Sequence, residues 1–356
     1  MAPASACPFC GVVGRPLADR RDAAVAAAVG EAVGPASRDD AGRVVQPFAV
    51  GQAIRGAAPR HDVVTARVDG PVTGTAVLFG AAAGWEAVAA DETLIAHVAA
   101  APATTVPPAQ RLAWYAARLE HPDPAVAADA FAEFGVADFA AVRAAAAAFD
   151  ADKLHGWLDD PAVDQRRRGF YGLALGLVAA GERDAARRAR HLAALRAAID
   201  RPASDLRAGF DGLLAGLVVA EGATGLDGLE SRGLLGATTR AGDARHALAV
   251  LRFAWESLAA TVPRERVAAA TAGLVANPAV AADAAIDLAR YGDWSALERV
   301  TGLWDTLGRD DPLVRRAVAG YLAACPLPAA RDHLRRLEAV DPERLRAARE
   351  AAAGPR

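Results

Sequence analysis

A seven-residue stretch that occurs twice decides how this sequence folds. Pro124-Ala-Val-Ala-Ala-Asp-Ala130 recurs letter for letter as Pro278-Ala-Val-Ala-Ala-Asp-Ala284. Asp123 or Asn277 precedes the proline, and such a pair is typical of a helix start. The Asp or Asn side chain caps free backbone N–H groups, and proline loses nothing at the first helical position. The stretch therefore predicts the first turn of a repeated helix, with the following valine and alanine in a buried stripe.

Further copies give the repeat a period. Asp311-Pro312-Leu313-Val314-Arg315-Arg316-Ala317 is a third copy, and Asp160-Pro161-Ala162-Val163 is a looser one. Together with Pro202, these prolines lie 34 to 41 residues apart, or about twice that where a weaker start near Asp243 intervenes. This period falls between the lengths of tetratricopeptide and HEAT repeats. The stretch at 311–317 is similar to the HEAT signature, and about two-thirds of the chain resembles a HEAT-like array. The resemblance implies stacked pairs of antiparallel helices.

The composition favours a folded, largely helical protein. The 356 residues are 53% hydrophobic and 23% charged, with a formal net charge of −3. These values exclude wholesale disorder and argue against a generally basic nucleic-acid binder. Alanine, the best helix former, supplies the largest part of the apolar residues. No run of 18 apolar residues occurs, so no transmembrane helix is expected.

The residue composition and the hydrophobic pattern change along the chain and predict four segments. These are an N-terminal segment with a Cys-x-x-Cys motif (1–21), a small β-rich domain (22–100), a linker (101–108) and HEAT-like helical repeats (109–350). The predicted fold class is therefore mainly α, a HEAT-like α-solenoid preceded by a small N-terminal β-rich domain.

The β-rich prediction depends on short apolar runs separated by turn residues. The run at 43–54 shows a partial period of two, and the runs at 61–68 and 74–79 are apolar. The alanine-rich stretch 23–29 fits a strand or a helix. With Cys7-Pro8-Phe9-Cys10 before them and Trp85 after them, these runs resemble the netrin-like, OB-type barrels of secreted proteins. No functional residue is carried over, because those families often begin with Cys-x-Cys and their further disulfide partners are absent here.

The repeat array predicts second helices and a core. The second helices are expected at 139–149, 187–199, 294–307 and 329–339, and 222–239 is interpreted as a degraded repeat or a loop because of its five glycines. The larger residues expected in the core are Trp114, Phe131, Phe170, Leu214, Phe253, Trp255, Ile286, Trp304 and Tyr321.

The three cysteines leave several functions open. Cys7 and Cys10 could form a structural disulfide, exchange thiols or supply half of a metal site. A structural disulfide is favoured, because no strand precedes the pair and no second pair of metal ligands has a matching spacing. Cys325 is predicted to be a buried small side chain. Ala4-Ser5-Ala6 before Cys7 resembles the end of a signal cleavage site and favours export to the periplasm or outside the cell, with a cytoplasmic protein as the alternative.

Arginines provide the other candidate site. The candidates are Arg166, Arg167, Arg168, Arg183, Arg187 and Arg190, within a segment, 164–207, that carries ten arginines against five acids. On a helix, 183, 187 and 190 would share a face that could bind an anion or a nucleic-acid backbone. The alternative is a solvated helix face, which is favoured because the whole chain is acidic and no aromatic residues are interleaved for base stacking.

The leading hypothesis for function is a non-catalytic scaffold that binds a protein partner through the solenoid surface. The sequence contains no nucleophile elbow, phosphate loop, dinucleotide fingerprint or zinc-protease motif. No catalytic residue, metal or cofactor is therefore expected, and nucleic acid is not the expected partner. The alternatives are a thiol-disulfide or metal-handling protein using Cys7 and Cys10, and an anion or nucleic-acid binder using the arginines.

The reduction potential of the Cys7–Cys10 pair separates the first two hypotheses. A structural disulfide is expected to have a potential below about −300 mV. Alkylation and mass spectrometry across a series of thiol buffers measure it. A value between roughly −120 and −270 mV, the range of catalytic dithiols, would instead support the redox function.

Overall fold

The computed structural model describes residues 9–10, 14–59, 61–202 and 207–353. The chain divides into two compact units, Met1–Phe149 and Asp150–Arg356. It is 58% helix, and the described residues form 17 α-helices, with strands between residues 26 and 89. The predicted fold class, mainly α with an N-terminal β-rich region, is confirmed. None of the described helices is long and apolar enough to cross a membrane.

Five strands of the first unit close into a barrel. The described strands are β1 (Ala26–Ala32), β2 (Ser37–Arg38), β3 (Val44–Arg55), β4 (Val63–Arg67), β5 (Thr75–Ala81) and β6 (Gly84–Ala89), and all except β2 belong to the barrel. β1 pairs antiparallel with both β3 and β5, and β4 pairs antiparallel with β3. β6 closes the ring, because it pairs antiparallel with β5 and parallel with β4. The order around the barrel is therefore β1-β3-β4-β6-β5, and the short β2 extends the edge of β3.

Successive side chains of a strand point to opposite faces of the sheet and belong to two different hydrophobic cores. Ala76 and Leu78 of β5 pack with Phe48, Val50 and other side chains from all five barrel strands, which places them inside the barrel. The intervening Val77 and Phe79 belong to a second cluster that includes apolar side chains of three helices. The continuous apolar run at 77–79 thus has its physical cause in a strand buried on both faces.

Five helices accompany the barrel in the first unit. They are α1 (Leu17–Ala23), α2 (Glu92–Ala100), α3 (Pro108–Ala116), α4 (Pro124–Val136) and α5 (Phe139–Ala144), followed by a 3₁₀ turn, Ala146–Ala148. The alanine-rich stretch 23–29 is divided between the last residue of α1 and the beginning of β1. β6, which contains Trp85, was not predicted as a strand.

The segment 101–108, expected to be a linker, is bonded to α1. The buried Arg21 donates hydrogen bonds of 2.7 Å to the carbonyl oxygens of Val98 and Ala101, which lie at the end of α2. The Asp22 carboxylate accepts a 2.6 Å hydrogen bond from the Thr104 N–H. A buried guanidinium needs acceptors, and the last carbonyls of a helix are free to provide them. The division between the two units accordingly falls after Phe149.

The second unit consists of helices. They are α6 (Ala151–Asp159), α7 (Gln165–Gly181), α8 (Ala185–Ile199), α9 (Phe210–Glu221), α10 (Ala223–Ser231), α11 (Ala241–Ser257), α12 (Arg264–Leu274), α13 (Ala281–Tyr291), α14 (Leu297–Gly302), α15 (Pro312–Ala324), α16 (Pro328–Val340) and α17 (Pro342–Ala353). Helices two apart in the chain pack together: α6 with α8, α7 with α9, α9 with α11, α10 with α12, α13 with α15, and α15 with α17.

The proline motif starts a helix in two of its four copies. Asp123 caps α4 and Asp311 caps α15, each accepting hydrogen bonds from backbone N–H groups of the first turn. Asn277 instead forms a turn, and α13 begins three residues after Pro278. Asn277 is buried, and its amide donates to the carbonyl oxygens of Gly236 and Thr239. These long-range bonds hold it in the turn, so the predicted helix start at Pro278 is wrong.

The loosest copy also differs from its prediction. Asp160 and Pro161 follow the end of α6, and Asp164, not Asp160, caps the next helix. Asp243, taken as a weak start, lies inside α11, where it is buried and paired with Arg207 at 2.8 Å. Asp164 therefore takes the capping position predicted for Asp160, and Asp243 forms an ion pair with Arg207 instead of starting a helix.

Most predicted second helices and core residues are found. α8 and α16 agree with their predictions, whereas 139–149 divides into α5 and a 3₁₀ turn, α14 is shorter than 294–307, and 222–239 contains α10. Phe131, Phe170, Leu214, Phe253, Trp304 and Tyr321 are buried, Trp114 and Trp255 are half-buried, and Ile286 is exposed.

Glycines bring α7 and α9 into backbone contact. Gly169-Phe-Tyr-Gly172-Leu-Ala-Leu-Gly176-Leu-Val resembles Gly209-Phe-Asp-Gly212-Leu-Leu-Ala-Gly216-Leu-Val, 40 residues later. A Cβ atom on Gly176 would lie 2.2 Å from the carbonyl oxygen of Gly216, and one on Gly216 would lie 2.2 Å from that of Gly172. Only glycine permits this approach, because such distances are shorter than any van der Waals contact.

Gly216→Val is therefore expected to lower the free energy of unfolding by about 3 kcal/mol through overpacking. Gly156→Ala is the matched control: Gly156 is exposed within α6 with no atom within 4 Å of its virtual Cβ. That change should raise the free energy by roughly 0.5–1 kcal/mol. Urea denaturation followed by circular dichroism measures both. Equal stability of the two variants would show that the close approach is not required.

Candidate functional site

Only one member of the predicted cysteine pair is described. Cys7 lies outside the described residues, and Cys10 is 1% exposed beside the buried Phe9. Cys325 is buried as predicted and forms the C-cap of α15. Within the described residues, no group of three His, Cys, Asp or Glu side chains could hold a metal ion.

The six predicted arginines do not form one stripe. Arg166, Arg167 and Arg168 begin α7, whereas Arg183, Arg187 and Arg190 lie at or before the first turns of α8. Asp184 caps α8, so Arg183 lies before the helix. It therefore does not belong to the helix face that Arg183, Arg187 and Arg190 were expected to share.

Two of these arginines pair with acids. Arg187 lies 3.0 Å from Glu182, and Arg190 lies 3.2 Å from Asp152 of α6. Such pairs are exposed and contribute little stability individually. They nevertheless neutralise two of the six arginines on which the anion and nucleic-acid hypothesis was based.

Ion pairs between helices recur at the period of the repeat. They join Arg232 to Asp200, Arg207 to Asp243, Arg252 to Asp287, Arg266 to Asp227 and His333 to Glu298. The partners lie 32 to 39 residues apart in the chain. Side chains a nearly constant distance apart in the chain are therefore bonded to each other.

A neutral histidine pair makes the same kind of connection between α6 and α8. His155 Nε2 and His191 Nδ1 lie 2.9 Å apart, and His191 is 4% exposed. Burial lowers the pKa of both rings, and His191 and Arg190 lower that of His155 further. Glu182 and Asp152 oppose this effect at His191, but less strongly than burial. The pair is stable while both rings are uncharged.

The first unit contains a buried polar cluster. Asp129 of α4 accepts hydrogen bonds from His97 Nε2 at 2.8 Å and from the Leu17 N–H at 2.7 Å. One turn later, the Glu133 carboxylate pairs with Arg111 of α3. These contacts connect α1, α2, α3 and α4, so each side chain of the cluster helps to hold the four helices together.

Glu133 has a counterpart in the second unit. It lies nine residues after the motif proline Pro124, and Asp287 lies nine residues after Pro278. Both are 1% exposed and pair with an arginine from an earlier helix, Arg111 or Arg252. Burial raises the pKa of both carboxyl groups. The proline repeat therefore includes a buried acid at one position in two of its copies.

A groove along α15 is the candidate binding surface. Two adjoining depressions of about 330 and 460 Å³ lie against α13, α15 and α17, and they share Gly320, Ala324 and Ala352. Ile286, expected in the core, is 42% exposed and lines this α15 groove instead. The prediction for Ile286 is wrong because most of the residues that line the groove beside it are glycine or alanine, which leave space instead of covering it.

The rim of the α15 groove is basic. Arg290, Arg316 and Arg349 line it, and no acidic side chain of the described residues does. Arg290 lies 3.6 Å from the buried Asp287, whereas Arg316 and Arg349 form no ion pair with any described residue. The groove thus combines an exposed apolar side chain with unneutralised positive charge.

Comparison with known proteins gives no relative. No known protein family matches the chain, and no curated protein and no solved structure is significantly similar to it.

The sequence patterns did not predict the α15 groove or the buried acids Glu133 and Asp287. The spacing of Glu133 and Asp287 from the motif prolines was available as a signal. Ile286 has the helical spacing of a core residue, so its exposure depends on the size of the side chains that face it across the helices.

The free energy of unfolding of the second unit is expected to decrease as the pH is lowered, because of the histidine pair. An unfolded histidine titrates at about 6.5, and the folded pair titrates lower, so the unfolded state takes up protons first as the pH falls through 6.5. The double variant His155→Gln/His191→Gln should lose much of the difference in unfolding free energy between pH 8 and pH 5. His61→Asn, at an exposed position of positive φ that Asn tolerates, is the control. An unchanged pH dependence in the double variant would contradict this assignment.

Proposed function

We propose that this protein is a non-catalytic helical-repeat binding protein. In this proposal the second unit is a HEAT-like solenoid, and the α15 groove takes an acidic segment of a protein partner that inserts an apolar side chain. The observation that carries it is the groove itself: an exposed isoleucine near several glycine and alanine residues, bordered by three arginines and by no described acid.

The spacing of the interhelical bonds supports the HEAT-like part. Helices two apart pack together, and ion pairs join side chains 32 to 39 residues apart. The aromatic rings of Trp255 and Tyr291 stack at 3.9 Å with the same separation, 36 residues. In a solenoid each repeat contacts its neighbours in the same way, which gives this constant sequence separation.

The order of the barrel strands supports an OB-type assignment for the first unit. An OB-fold is a five-stranded Greek-key barrel. Here the ring β1-β3-β4-β6-β5 returns to β1 with one parallel pair, β4 and β6. This proposal concerns the fold alone and assigns no ligand to the barrel.

The size and chemistry of the groove support a peptide segment as the occupant. Side chains as small as Gly320, Ala324 and Ala352 let a partner backbone approach α15 closely. Ile286 offers an apolar contact, and burying such a side chain against a partner contributes roughly 1.5–3 kcal/mol. The basic rim favours acidic partners and increases the rate of their association.

Selection of displayed random peptides against the full-length chain tests the proposal. Acidic peptides with an apolar residue should be enriched. The affinity of the selected peptides should fall about tenfold or more on Ile286→Ser or Arg316→Glu, a loss of about 1.4 kcal/mol or more. Val340→Ser and Arg183→Glu are matched controls, because these side chains are exposed outside the groove.

Two results would contradict the proposal. One is the absence of enrichment for acidic peptides. The other is a set of peptides that bind the groove variants and the control variants equally well, which would place the binding surface elsewhere.

A further inference from the structure

The residues that line the α15 groove recur at the spacing of a helix face. Arg316, Gly320 and Ala324 of α15 are each four residues apart, so they lie in one row along that helix. At 1.5 Å per residue the row is about 12 Å long, or roughly two turns. α13 and α17 both pack on α15, so the row lies between two neighbouring helices. Pairs with the same spacing line the groove from these helices, namely Ile286 and Arg290 of α13 and Arg349 and Ala353 of α17.

Gly320 leaves the middle of this row open. Among the described residues of other helices, a Cβ atom placed on Gly320 would meet only the Ala352 side chain within 4 Å, at 3.6 Å. The glycines of α7 and α9 differ, because a Cβ atom on Gly176 would lie 2.2 Å from the carbonyl oxygen of Gly216. The second unit thus packs a helix directly on the glycines of α7, whereas no described helix covers Gly320.

The lining of the groove restricts the backbone conformation of an occupant. Among the described lining side chains only Tyr321 has an oxygen atom, and its hydroxyl donates to the carbonyl oxygen of Asp293. The arginines offer donors and no acceptors. Main-chain carbonyls within a helix are already bonded, and only those of its last turn are free. An extended segment would therefore leave the N–H groups that face the groove without acceptors, which is unfavourable for a buried donor.

An α-helix does not have this difficulty, because its main-chain groups bond to each other. Glycine and alanine on α15 let the axis of a second helix approach to the short end of the usual range, about 8–10 Å. Apolar side chains three or four residues apart on such a helix would contact Ile286 and the alanines of the groove. Acidic side chains at the borders of this apolar face would reach the arginines of the rim.

We propose that the partner segment bound by the α15 groove is an amphipathic α-helix of about two turns or more, apolar on one face and acidic along its borders. The inference rests on the proposed function of the groove and specifies the conformation of its occupant. A segment of this length is largely unfolded on its own in water, so it folds as it binds. Gly320 sets the distance between this helix and α15, because a larger side chain there would hold the helix away.

Two libraries of displayed peptides, each of about 12 residues or roughly three turns, test the proposal with the full-length chain. Both contain the same numbers of apolar and acidic residues. One places the apolar residues at i, i+3, i+4 and i+7, and the other alternates them with polar residues. The best binders of the first library should have dissociation constants at least about tenfold lower than those of the second. The ¹³Cα chemical shifts of a labelled binder should become helical in the complex.

One variant and one matched control place the helix on α15. Gly320→Leu should weaken the helical binders about tenfold or more, because the leucine side chain occupies the middle of the groove. Gly156→Leu is the control, since Gly156 is exposed within α6 and no described atom lies within 4 Å of its virtual Cβ. The control should bind as the unaltered protein does. Circular dichroism checks that both variants are folded.

The outcomes separate this inference from the proposed function. Alternating peptides that bind at least as tightly as helical ones and are lost on Arg316→Glu would overturn the helical occupant and leave the function of the groove in place. Extended ¹³Cα shifts in the complex, or equal affinities of Gly320→Leu and Gly156→Leu for the helical binders, would also overturn it. Failure of both libraries to bind would contradict the proposed function and this inference together.

Discussion

The close approach of helix backbones, permitted by glycine and alanine, is the constraint on which the second unit depends. α7 and α9 touch through glycines at the same positions of both helices, and a single Cβ atom there would overlap a carbonyl oxygen. Small side chains bury little apolar area each, so packing must be dense for burial to stabilise the fold. Where small residues of neighbouring helices face each other without a large side chain to fill the space, as along α15, a groove remains.

Arginine takes a structural role in this close packing. Its long side chain reaches from one helix to another, and its planar group can bond to carboxylates and helix-end carbonyls together. Arg207 does so with the Asp243 carboxylate and the carbonyl oxygen of Ile199. Arg252 and Arg266 each bond to two carboxylates. The count of arginines between 164 and 207 therefore overstated the charge available to a partner. Arg168, Arg316 and Arg349 are among the arginines that form no ion pair with a described residue.

Sequence reasoning succeeded where a local pattern has a local cause. Asp123 and Asp311 cap helices because capping involves only the next few backbone N–H groups. The local sequence did not reveal α10, within the segment 222–239 interpreted as a degraded repeat or a loop, or β6 after Gly80. The glycines there do not prevent either element from forming once neighbours pack against it. The bonds between 101–108 and α1 could not be read from the sequence for a related reason. Arg21 and Ala101 are 80 residues apart, Asp22 and Thr104 are 82 residues apart, and no local pattern reports a hydrogen bond across that distance.

The seven-residue repeat shows what the sequence by itself determined and what it left open. Composition, helical period and capping determined a mainly helical chain with a small β-rich domain before it, because those properties depend on near neighbours. The same letters nevertheless have different surroundings in the two copies. Asp129 is buried against His97, whereas Asp283 is more than half exposed beside Arg252. Tertiary structure alone decided these environments and the exposure of Ile286, because burial depends on which distant side chains occupy the facing positions.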